Sequence, residues 1–132
     1  MGEDLIMKMI IGGAFQGKKE LAEAEYPDIT WVRGEEADLE TLLRAEGVLG
    51  FHEFIRKELK EGREVGDLAG KLIRNNPEII LVSDEVGYGV VPIDAFDRRY
   101  REAVGRVCTE LADFSEKVTR VVCGIGTVIK NA

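Results

Sequence analysis

The sequence predicts an α/β fold with a mostly parallel central sheet, and three observations carry that prediction. Short β-prone runs alternate with stretches of helical spacing along the chain. The strongest runs, Leu5 to Ile11, Ile79 to Val82 and Val118 to Cys123, are largely apolar, as expected of strands covered on both faces. The 132 residues are 45% hydrophobic, and neither a linker nor a repeat divides them, so residues 1–132 read as a single domain with its own core.

The elements follow in order. Leu5 to Ile11 is a buried strand that runs into Gly12-Gly13. Lys18 to Glu25 reads as a helix, ended by Tyr26-Pro27 because the residue before proline avoids helical backbone. Thr30-Trp31-Val32 is β-prone. Leu39, Leu42 and Leu43 have helical spacing, with Gly47 read as the C-cap and Val48-Leu49 as a further short strand. Phe51, Phe54, Ile55 and Leu59 line one helix face, which stops near Gly62. Leu68, Ala69, Leu72 and Ile73 mark another helix, stopped by Asn75-Asn76-Pro77. Ile79 to Val82 is the clearest strand. Asp94 caps a long helix that buries Phe96, Tyr100, Val104, Val107 and Leu111. Val118 to Cys123 is the last core strand, with Cys123 expected inside it as a reduced thiol, and a short strand follows Gly124-Ile125-Gly126 to Lys130.

Charge narrows the function. Eighteen basic residues stand against 25 acidic ones, a net of -7. That balance argues against nucleic-acid polymers and anionic membrane surfaces, while leaving room for a small phosphate pocket. The chain has no apolar run of about 18 residues for a membrane span. It begins Met1-Gly2-Glu3-Asp4, acidic where a signal peptide is basic, so a cytoplasmic protein is expected.

Three groups of residues point to chemistry. Gly12-Gly13-Ala14-Phe15-Gln16-Gly17-Lys18-Lys19 fits G-x-x-x-x-G-K between a strand and a helix. Glycines let successive N–H groups turn inward around an anion, the helix start adds its positive end, and Lys18 reaches the outer phosphates. Residues 12–19 are therefore the expected nucleotide-binding loop, with Lys18 catalytic; the alternative is a glycine-rich turn between strand and helix that holds no ligand. Lys19 stands where a Ser or Thr normally offers Mg²⁺ a hydroxyl, and an ammonium cannot ligate a cation. Either Mg²⁺ is held differently, or Lys19 turns to solvent, or the site binds without efficient turnover. Second, Ile79 to Val82 leads into Ser83-Asp84-Glu85, which puts carboxylates at the carboxyl edge of the sheet, where open α/β folds bind ligands. There Asp84 and Glu85 hold Mg²⁺, or one serves as a base, or both are solvated; Gly87-Tyr88-Gly89 follows at once. Third, the arginines of Asp97-Arg98-Arg99-Tyr100-Arg101-Glu102 and Arg106 either pair with phosphate bidentately or, as the i, i+4, i+8 spacing of Arg98, Glu102 and Arg106 favours, make surface ion pairs. His52, the only histidine, lies beside the apolar stripe of its helix and reads as either structural or catalytic.

With these motifs in view, the later half is recognisable. Val82-Ser83-Asp84-Glu85-Val86-Gly87-Tyr88-Gly89-Val90-Val91-Pro92, the arginine-rich stretch from Arg98 to Glu102 with Gly105-Arg106-Val107, and Cys123-Gly124-Ile125-Gly126 closely resemble the bifunctional adenosylcobinamide kinase / adenosylcobinamide-phosphate guanylyltransferase family. The Gly12–Lys18 loop is similar to that family's nucleotide loop. The resemblance implies a P-loop NTPase-like three-layer fold and a homo-oligomer. It implies ATP or GTP as phosphoryl donor to a cobinamide hydroxyl, and then transfer of GMP to the phosphorylated product. The family accepts GMP on a histidine in an arginine-rich helix, and no matching segment is found here; Gly50 and Phe51 also replace its residues after the middle strand. The resemblance does not give His52 that role, yet any histidine adduct in this chain has only His52 to form on. The alternative is a non-catalytic, degenerate nucleotide-binding regulator or scaffold.

Overall fold

Alternate residues of the central strands go to opposite faces, and both faces are apolar. Met9, Leu81 and Val118 join one cluster, while Ile10, Val82 and Val121 join another. A sheet apolar on both sides needs a helical layer on each. A computed structural model supplies those layers and describes residues 6–86 and 94–131. The Gly87-Tyr88-Gly89 loop, the rest of the block to Pro92 and Met1–Asp4 lie outside the described residues.

The elements run β1 (Lys8–Gly12), α1 (Lys18–Glu25), β2 (Trp31–Arg33), α2 (Leu39–Leu42), β3 (Gly47–Leu49), α3 (Phe51–Lys60), α4 (Leu68–Asn75), β4 (Ile80–Asp84), α5 (Ala95–Phe114), β5 (Lys117–Val122) and β6 (Ile125–Asn131). The sheet order is β2-β3-β4-β1-β5-β6, parallel except for the antiparallel β5–β6 hairpin. The larger core lies between the sheet and α3, α4 and α5, around the fully buried Phe51, Phe54, Leu72 and Leu111. Ala22 of α1 closes the smaller core on the other face. This three-layer α/β arrangement is the predicted one.

Two local readings change. Gly47 opens β3 and does not cap α2, whose C-cap is Leu43. A Cβ at Gly47 would lie 2.5 Å from the Trp31 ring, so the glycine answers to strand packing. Cys123 is exposed, with φ 52, in the turn between β5 and β6. The apolar run before it ends at Val122, and the chain reverses there.

Candidate functional site

The parallel register builds the site. Gly12 at the end of β1 pairs with Asp84 at the end of β4, so the glycine loop and the acidic strand end meet at one edge. Glu85 N–H donates to the Gly12 carbonyl at 2.7 Å and fixes the junction. A Cβ at Gly12 would sit 2.5 Å from the Val121 carbonyl oxygen, so only glycine fits as the chain leaves the sheet. Gly17 caps α1 in the left-handed region, with φ 91. Phe15 also has positive φ, and its side chain is fully exposed.

Lys18, in the first turn of α1, is only 7% exposed. An ammonium that buried needs partners. Its Nζ donates to the Gly13 carbonyl at 2.6 Å and pairs with Asp84 Oδ1 at 2.7 Å. The lysine is thus drawn back across its own loop. His52, second residue of α3, completes the cluster. Its Nδ1 accepts the Asp84 backbone N–H at 3.0 Å, and its Nε2 lies 3.4 Å from Asp84 Oδ2. Burial pushes the His52 pKa below its usual value, against the opposing pull of Asp84 and Glu53. A cleft of about 570 Å³ opens over these groups, lined among others by Phe15, Lys18, Arg33, Gly50, His52 and Asp84. The starts of α1 and α3 both face it.

The other predicted residues divide. Ala14, Gln16, Gly17 and Lys19 line the same cleft. Lys19 Nζ is exposed and pairs with Glu23 at 3.3 Å, so it turns to solvent. Glu85 accepts from Arg120 Nε at 2.8 Å across the β1 edge. Arg106 pairs with Glu102 on the surface of α5, while the Arg101–Asp97 pair is partly buried and Arg101 lines a second cavity with Gly13, Asp84 and Glu85. For Mg²⁺ the donor set does not fit a protein-held ion. No cluster of three or more acidic, histidine or cysteine donors exists among the described residues, Lys19 supplies no oxygen, and Asp84 and Glu85 each face a cation.

One contact was not readable from the motifs. Gln16 Oε1 accepts the Cys123 N–H at 2.6 Å, and the Gln16 carbonyl accepts the Gly124 N–H at 2.7 Å. The crown of the loop is thereby tied to the β5–β6 turn. A Cβ on Gly17 would come within 3.1 Å of Gly124 Cα, so the two glycines let the segments touch. The glycines at 124 and 126 were the only sequence signal of this approach.

Residues 38–129 match the cobinamide kinase / cobinamide phosphate guanyltransferase family. The match starts after the glycine loop, so the reading of that loop rests on its own spacing and contacts. Over 67 residues the chain is 39% identical to the bifunctional adenosylcobalamin biosynthesis protein CobU of Escherichia coli (strain K12), covering 51% of this chain and 37% of that protein. It is 43% identical over 53 residues to the CobU of Salmonella typhimurium (strain LT2), covering 40% and 29%. It is 38% identical over 66 residues to the bifunctional adenosylcobalamin biosynthesis protein CobP of Pseudomonas aeruginosa (strain PAO1), covering 50% and 34%. The aligned segments span about a third of these relatives' lengths. A three-layer α/β fold, a glycine loop facing an acidic strand end and a family match over most of the chain converge on one conclusion: this chain belongs to the cobinamide kinase / cobinamide phosphate guanyltransferase family.

Proposed function

We propose that the chain binds the phosphates of GTP or ATP in the Gly12–Lys19 loop and passes the terminal phosphoryl group to a hydroxyl of a cobinamide-type acceptor, the β–γ phosphoanhydride bond breaking and the nucleoside diphosphate leaving. The observation that carries this is the placement of Lys18. A buried ammonium, held at 2.6 Å by the loop carbonyl of Gly13 and at 2.7 Å by Asp84, sits between a glycine loop and a helix start. Such a group stabilises negative charge best where charge develops in transfer, because it is desolvated and already oriented. The donor's phosphates would displace part of the Lys18–Asp84 contact, the loop N–H groups would bind the phosphate oxygens, and the acceptor hydroxyl would lose its proton to a carboxylate at the strand end. Asp84 and Glu85 are the carboxylates at that edge.

Titration of GTP and ATP with the full chain tests the binding half. Wild type binds, and Lys18→Ala weakens binding by about a hundredfold, the consequence of losing a charge-assisted contact and leaving Asp84 without its partner. Mass spectrometry after adding cobinamide tests the transfer half. Binding without a phosphorylated or GMP-bearing product would replace catalysis by a binding role. No nucleotide binding, or binding unaltered in Lys18→Ala, would remove both.

A further inference from the structure

His52 is held in a way that neither a plain core histidine nor a nucleophile requires. Its ring touches Asp84 twice, once through the backbone N–H at 3.0 Å and once beside Oδ2 at 3.4 Å. Asp84 Oδ1 is the partner of Lys18. The ring therefore anchors the Asp84 backbone and lies beside its carboxylate, and that carboxylate pairs with the loop lysine. We propose that His52 is a positioning residue that holds Asp84, and through it Lys18, in register with the phosphate loop, and that it is not an acceptor of a guanylyl group. The proposal rests on the phosphate-site reading above and deepens it.

The chemistry of the ring supports this role. An N–H donor faces Nδ1, so that nitrogen uses its lone pair to accept. Burial favours the neutral ring, which then carries its proton on Nε2. Attack on a phosphorus atom needs a free nitrogen lone pair directed into the cleft. Nδ1 has spent its own on Asp84 N–H, and Nε2 carries hydrogen and faces a carboxylate whose charge repels an incoming phosphate. The charged groups around the ring are Asp84 from β4, Glu53 from α3, Lys18 from α1 and Glu35 beyond β2. Asn is the informative substitution, because its amide oxygen can take the place of Nδ1 as acceptor while offering no nucleophile.

Three measurements on the full chain decide it. Because His52 is the only histidine, a ¹⁵N-histidine NMR spectrum contains one imidazole; near pH 7 it should show the Nε2–H tautomer, and Asp84 N–H should exchange slowly. Titration with GTP and ATP should find His52→Ala weakened by about tenfold and His52→Asn restored to within about threefold of wild type, the size of one buried hydrogen bond. Intact-mass and peptide mapping after incubation with GTP should find no GMP on His52. An Nδ1–H tautomer, fast exchange at Asp84, unchanged binding in His52→Ala, failure of Asn to restore it, or a GMP adduct on His52 would each overturn the proposal. If His52→Ala does not fold, the Asn variant and the wild-type spectrum still decide. If wild type binds neither nucleotide, the phosphate-site reading fails, while the tautomer and exchange results still judge the placement of His52.

Discussion

At the residue scale, the site depends on a charge buried beside its counter-charge. Spacing alone marked Lys18, Gly12 and Gly17. It did not mark the contact of Lys18 with Asp84, 66 positions away, or of Asp84 with His52, because the parallel pairing of Gly12 with Asp84 makes both. His52 was legible only as a histidine beside an apolar stripe; its partner is a backbone N–H, and no side-chain motif records that. Its protonation gives a testable consequence for stability. Burial lowers the folded-state pKa below the ordinary 6.5, so the unfolded chain takes up the proton first. Stability present above pH 6.5 is then lost as pH falls through the folded-state value. Protonated Nδ1 also becomes a donor that faces the Asp84 N–H. Urea unfolding between pH 7.5 and about 5 should show that decline in wild type, with a shallower slope in His52→Asn. Equal slopes would show that the ring makes no such contribution. Cys123 is the residue most misread, since an apolar run conceals a turn that begins at its last position.

At the element scale, most boundaries were visible because strands and helices here stop at residues with a backbone reason. Gly17 opens α1, Asp94 caps α5 by accepting the Asp97 N–H at 2.7 Å, and Asn76 closes α4. Gly47 failed as a cap because its reason is a ring from the neighbouring strand, which no local pattern encodes. Glycines with positive φ separate backbone cost from site geometry. Gly17 and Gly62 have φ of 91 and 81; a Cβ on Gly62 meets open space, whereas one on Gly17 presses on Gly124. Both Gly→Ala variants should lose about 1–2 kcal/mol, the cost of a left-handed alanine, as measured by chemical unfolding. Only Gly17→Ala should also lose nucleotide affinity. Equal affinity in the two variants would mean that the loop does not depend on its seat against the hairpin.

At the scale of the whole molecule, the class was legible and the strand order was not. Alternation of apolar runs and helical stripes implies a covered parallel sheet, but nothing local says that β4 and β5 flank β1. The core that fixes that order is built on α3 and α5. Phe54 is fully buried against it, so Phe54→Ala should lower the unfolding free energy by about 3–5 kcal/mol, and a loss under 1 kcal/mol would show that the α3 face is not the core. The net charge of -7 also takes on a place: within this acidic chain, Lys18, Lys19 and Arg33 gather along one cleft at the sheet edge.

The tie between Gln16 and Cys123 bears on the order in which the protein comes into being. The two residues are 107 positions apart. During synthesis Gln16 is made 107 positions before the turn residue whose N–H it accepts. Until that turn arrives, the crown of the loop lacks the partner that ties it down, so the loop should reach its final shape only once the β5–β6 turn is in place. A contact across so much of the chain also carries a large loop-closure cost, which places its formation late in refolding as well.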